Sequence, residues 1–106
     1  MLIINKTIMP TKKTAKAKKQ LVTASDGCCF WVHNGPIIRD LRELHEAIRD
    51  TMTDEQFTHH VSKEKNDFAQ WVADVLEDDT CAKALRRVRT RKSTQKALEL
   101  CLAEYR

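Results

Sequence analysis

The chain has 106 residues, two glycines, two prolines and a formal net charge of +4. That length accommodates one domain, and so few turn-forming residues argue against an all-β fold of many strands. No apolar run approaches the roughly 18 residues that read as a bilayer-spanning helix, so no membrane partner is expected.

Charge is laid out in three blocks. Residues 1–20 hold six lysines (Lys6, Lys12, Lys13, Lys16, Lys18, Lys19) and no acid; residues 21–80 hold thirteen acids against five bases; residues 81–106 hold eight bases against two acids. A basic tail, an acidic centre and a basic C-terminal segment suit a compact module that meets polyanions at its ends. The opening Met1-Leu2-Ile3-Ile4 is too short for the apolar stretch of a signal peptide, and Met9 offers a second start. Four cysteines without a secretory signal read as reduced thiols of a cytoplasmic protein.

Residues 5–20 are low in complexity, mostly Lys, Ala and Thr, and resemble the tails of histone-like proteins in composition. Such a segment has too little apolar surface to offset the entropy of ordering it. Residues 1–22 are therefore expected to form a disordered Lys-rich tail, and residues 23–106 a single helical domain with a basic C-terminal helix.

Cys28-Cys29-Phe30-Trp31-Val32-His33 is rich in strand formers and leads through Asn34-Gly35 to Pro36-Ile37-Ile38. Asn-Gly between apolar runs predicts a hairpin with a type I′ turn, whose two central residues both need φ > 0. Pro36 removes a donor, so its strand must be an edge or very short. Asp40-x-x-Glu43 is a capping-box pattern, and Leu41, Leu44 and Ile48 form the stripe of a helix ending near Asp50. A second box, Thr53-x-x-Gln56, opens a short helix with Phe57, His60 and Val61. After the polar break Ser62-Lys63-Glu64-Lys65, Asn66 or Asp67 caps a helix carrying Phe68, Trp71, Val72, Val75 and Leu76. Asp78-Asp79-Thr80 ends it and caps one last helix, Cys81 to Glu104, with Leu85, Val88, Leu98, Cys101, Leu102 and Tyr105 on one face. The expected fold is mainly α, a small α+β domain: a short N-terminal β-hairpin and three to four packed helices, preceded by a disordered basic tail. The expected core is Phe30, Val32, Leu41, Leu44, Ile48, Phe57, Val61, Phe68, Trp71, Val72, Val75, Leu76 and Leu85.

The runs Phe30-x4-Gly35, Leu41-x2-Leu44, Phe57-x2-His60-Val61 and Lys65-Asn66-Asp67-Phe68-Ala69-x-Trp71-Val72-x2-Val75-Leu76 resemble a family of small domains of unknown function found in archaea and bacteria. The resemblance covers about residues 30–85. It implies a shared fold and lends no activity, substrate or cofactor.

Three kinds of site are open to this composition. The first is nucleic-acid binding by Lys12, Lys13, Lys16, Lys18, Lys19, Arg86, Arg87, Arg89, Arg91 and Lys92. Engaging six to eight phosphates would give a log–log salt slope of roughly −5 to −7 on duplex DNA. Neither basic segment interleaves aromatics for stacking on single strands, and no recognition helix is apparent, so binding to DNA or RNA would be largely independent of sequence. Against this stand a solvated cationic face, pairing with the acidic centre within one molecule or between copies, and an acidic protein partner.

The second is a metal site drawn from Cys28, Cys29, Cys81, Cys101, His33, His45, His59 and His60. No pair has C-x2-C or H-x3-H spacing, and adjacent Cys28 and Cys29 in a strand would point to opposite faces, so no metal is expected. The third is general-base catalysis by His60 with Asp67. No nucleophile, phosphate loop or paired carboxylates accompany that pair, and a structural role at the edge of the core fits it better. No enzyme activity and no cofactor are expected. Trp31, out of phase with inward Phe30 and Val32, is a candidate partner contact. The leading expectation is a non-enzymatic protein that associates with nucleic acid; the alternative is a protein-interaction module with incidental basic ends.

Overall fold

The computed structural model describes residues 19–105. Residues 1–18, most of the expected tail, lie outside the described residues. A single 3-10 turn, Asp26–Cys28, precedes a two-stranded antiparallel hairpin of β1 (Phe30–Trp31) and β2 (Ile37–Ile38). Five helices follow: α1 (Leu41–Glu46), α2 (Asp54–His60), α3 (Asp67–Asp74), α4 (Asp79–Arg86) and α5 (Arg91–Leu102). The fold is thus mainly helical with a small N-terminal hairpin, as the patterning predicts.

The hairpin register pairs Phe30 with Ile38 and Trp31 with Ile37. Its turn differs from the expected type I′. Only Asn34 has positive φ, at 55°, and the Gly35 N–H donates to the Val32 carbonyl at 2.9 Å. Between the strands the Val32 N–H donates to the Pro36 carbonyl at 3.1 Å, which leaves a three-residue loop, His33 to Gly35, with Asn34 in the left-handed region that asparagine tolerates. Glycine is needed at 35 for space: a Cβ there would sit 2.8 Å from both Val32 Cγ1 and Gln56 Nε2. Cys28 and Cys29 lie before the strand, with Cys28 closing the 3-10 turn through its N–H to Ser25.

Side chains named by the capping patterns start the helices. Asp40 accepts from the Glu43 N–H at 2.8 Å, and Thr53 and Gln56 make a reciprocal box. Asn66 accepts from Ala69 N–H, and its amide donates to the Leu85 carbonyl at 3.0 Å, tying the start of α3 to the end of α4. After α1 the chain runs through a π-helical turn, Ala47–Thr51, closed by Met52 N–H on the Ala47 carbonyl. Beyond α3 the chain reverses at Glu77, left-handed at φ 56°, and the Asp78 N–H reaches back to the Val72 carbonyl at 3.1 Å.

The expected last helix, Cys81 to Glu104, is two helices. Thr90 adopts extended backbone at φ −90°, ψ 156°, its side chain accepts from Ser93 N–H, and Ser93 reciprocates on Thr90 N–H. A capping box inside the run stops α4 and restarts the chain as α5.

Phe68 is completely buried, with ring centroids 5.0 Å from Phe30 and 6.0 Å from Phe57. Deleting such a ring costs about 3–5 kcal/mol. Trp71 packs on Phe30 and satisfies its indole N–H on the Cys28 carbonyl at 2.8 Å. Every expected core residue is buried except Val75, which is half-buried because it caps the C-terminus of α3. Ile38, Met52, Cys81, Ala82, Leu98 and Tyr105, with Ala24, Ala47, Ala69 and Ala97, join the core. α3 packs chiefly on α4, and α5 packs on α1 and α4.

Candidate nucleic-acid interface

Two links meet at one end of the helical layer. The first, between α2 and α3, is tightened by pairing of Val61 with Asn66 and by Ser62 N–H on the Lys65 carbonyl at 2.9 Å. This turn displays Lys63, Glu64 and Lys65. The second is the α4–α5 break, which displays Arg87 and Arg89. The Asn66–Leu85 hydrogen bond holds the two links together.

Between them lies an open groove of about 370 Å³ lined by residues 61–67, Gln70, Arg86, Val88 and Arg89. It presents four cations, Lys63, Lys65, Arg86 and Arg89, against two carboxylates, Glu64 and Asp67. Asp67 is already engaged, by Lys65 Nζ at 3.0 Å and by His60 Nδ1 at 3.0 Å. Burial pushes its carboxyl up, but the hydrogen bonds from His60 and Lys65 and their charges outweigh this and hold it below the ordinary carboxylate range. Lys63, Arg86 and Arg89 form no ion pair among the described residues.

The expected cations divide sharply. Arg86 and Arg89 line the groove, whereas Arg87 and Lys92 are exposed and do not line it. Arg91 is half-buried and bound within the fold, to the Ile48 carbonyl and to Asp54. Lys19 is anchored too: its N–H donates to the Glu104 carbonyl at 3.0 Å, and Nζ lies 3.7 Å from Asp78 and 5.3 Å from the centre of the Tyr105 ring. Lys19 and Arg91 therefore pair with acids of the central block inside the molecule. Lys12, Lys13, Lys16 and Lys18 lie outside the described residues. Lys63 and Lys65 were legible only as a polar break, because they sit in the acidic block and are brought near Arg86, 21 positions beyond Lys65, only by the packing of α3 on α4.

His60 is not arranged as a catalytic base. Its ring is buried, 4.9 Å from Phe30 and 5.3 Å from Phe68 between centroids. Nε2 accepts from the His33 N–H at 3.0 Å, so the ring proton resides on Nδ1 and is donated to Asp67. Both nitrogens are spent on the fold. His33 and His59 stack outside it at 4.0 Å, where desolvation, then the charges of His33, His60 and Lys65, lower the His59 pKa.

No three His, Cys, Asp or Glu side chains gather into a metal-binding group among the described residues, and none of the described helices is long and apolar enough to cross a membrane. Trp31 is 70% exposed, opposite Ile37 at 39% on the outer face of the hairpin. Comparison with protein-family models, curated proteins and solved structures found no match.

Proposed function

We propose that this is a small, non-enzymatic, cytoplasmic protein that associates with DNA or RNA largely irrespective of sequence. It does so through its Lys-rich N-terminal segment and the basic surface at the α4–α5 break. The observation that carries this reading is the convergence of Arg86 and Arg89 with Lys63 and Lys65 around one open groove. Three of these, Lys63, Arg86 and Arg89, have no carboxylate partner among the described residues, and such cations are free to release counterions from a phosphate backbone. A second observation supports it. Lys19 lies beside Asp78 at the start of α4, and Arg86 ends that helix, so the two cations stand at the two ends of one element about 12 Å long. One polyanion can touch both.

The test is fluorescence anisotropy over a salt series, with a random-sequence duplex and an RNA. Affinity should fall with salt at a log–log slope of roughly −5 to −7, and Arg86→Glu with Arg89→Glu should weaken binding to every sequence alike. No binding at low salt sinks the proposal. The exposed Trp31 favours a second reading, a protein-interaction module; Trp31→Ala separates the two, since it should leave polyanion binding unchanged.

A further inference from the structure

Three histidines meet where the hairpin loop lies on α2. His33 stacks on His59 with ring centroids 4.0 Å apart and planes 7° from parallel, and His59 meets His60 edge-on at 4.8 Å. Three hydrogen bonds dock the loop on that helix. The His33 N–H donates to His60 Nε2 at 3.0 Å, and Gln56 Nε2 donates to the His33 and Asn34 carbonyls, each at 3.0 Å. We propose that this cluster is an acid-sensitive latch, closed while His33, His59 and His60 are neutral and opened by their protonation, which releases the loop of residues 33–35 from α2.

The closed state requires a neutral His60. Its Nδ1 already donates to Asp67, so Nε2 is an acceptor only while it carries no proton. An imidazolium would set one N–H against the His33 N–H, and the two donors would repel. His33 obeys the same rule, since the Asn34 amide nitrogen, a donor, lies 3.3 Å from its Nε2. Two charged rings stacked at 4.0 Å would also repel each other. Few charges oppose this. Asp67, at the start of α3, offers one oxygen to both His60 Nδ1 and Lys65 Nζ, each at 3.0 Å. Glu55 lies one turn before His59 on α2 and forms no ion pair among the described residues. Desolvation, then the charges of His33, His60 and Lys65, hold the His59 pKa below the ordinary value. The closed state therefore takes that proton late. Closure is fully stable above the ordinary 6.5 and weakens as pH falls below it, because an opened loop binds the proton first. The loop can leave as a unit, since its own closing bonds, Gly35 N–H to Val32 and Val32 N–H to Pro36, involve no histidine ring. It joins the strands that carry the exposed Trp31 and Ile37, so the latch governs how that outer face is held.

The experiment follows full-length protein by proton–nitrogen spectra from about pH 8 to about pH 5, the interval in which histidine charges. The His33 amide and the Gln56 side-chain amide should move together, over the same interval in which His60 gains its Nε2 proton. Amide exchange should show the His33 N–H losing protection by about tenfold, the size of one hydrogen bond's contribution. The Val61 N–H, bonded to the Phe57 carbonyl at the end of α2, should keep its protection and serves as the internal control. His59 is exposed, so His59→Gln should leave the fold intact. That variant should keep the loop closed to lower pH, because opening then takes up fewer protons. Loop amides that stay fixed while the histidines titrate, or a loop transition unmoved by His59→Gln, would overturn the inference.

Discussion

Arg91 Nε donates to the main-chain carbonyl of Ile48 at 2.7 Å, across 43 residues of sequence. The carbonyl needs that donor. In the π-helical turn the Met52 N–H goes to Ala47 rather than Ile48, and the Thr53 N–H is taken by the Gln56 side chain. Arg91 fills the gap and adds an ion pair to Asp54 at 2.9 Å. A charge-assisted bond to an otherwise unpaired buried carbonyl is worth about 1.5–3 kcal/mol. Arg91→Ala should lose about that much in urea unfolding and leave the salt slope of nucleic-acid binding nearly unchanged. Arg89→Ala should do the reverse, keeping the urea midpoint and reducing the slope by about 0.9. Equal effects of the two variants on both readouts would refute this division of labour.

His60 should be held as one tautomer. Long-range proton–nitrogen spectra are expected to show the proton on Nδ1, with Nε2 as the acceptor of the His33 N–H. His60→Ala opens space between Phe30 and Phe68 and strands a donor, so a loss of about 2–4 kcal/mol is expected. The acid limb of stability carries the other half of the pair. Asp67 is held below its unfolded carboxyl pKa, so its contribution is complete above that value and is lost as pH falls through the folded one. Asp67→Asn should flatten that limb. An Nε2–H tautomer would refute the assignment.

Tyr105 governs the alkaline side. Its hydroxyl donates to Asp78, and burial, then that bond and the Asp78 charge, raise its pKa above the ordinary 10.0. The raised group stabilises the native state fully below the unfolded pKa. That contribution drains away as pH climbs past 10, because the unfolded chain surrenders the proton first. Tyr105→Phe should cost about 1–3 kcal/mol at neutral pH and remove this alkaline slope. A variant with the wild-type slope would show that another group sets it.

Local chemistry made much of the fold legible. Asp40, Thr53, Asn66 and Asp78 cap their helices because a side-chain oxygen reaches a first-turn N–H only from those positions. The break at Thr90 was equally local, but Thr90-x-x-Ser93 is a weaker form of the box than one ending in Glu or Gln, and the apolar stripe continues across it. The hairpin was signalled by Asn34-Gly35, whereas its loop length was decided by what Gly35 packs against, Val32 and Gln56.

The candidate site divides along the same line. Sequence by itself determined the charge blocks, the helical class, the cap residues and the apolar stripes, because each depends on residue type and spacing within a few positions. Tertiary structure alone decided that Arg86 and Arg89 would share a groove with Lys63 and Lys65 while Arg91 and Lys19 were drawn into the fold. It alone spent both nitrogens of His60. Whether a cation faces solvent or a buried carbonyl turns on which distant main-chain groups lack partners, and chain packing settles that.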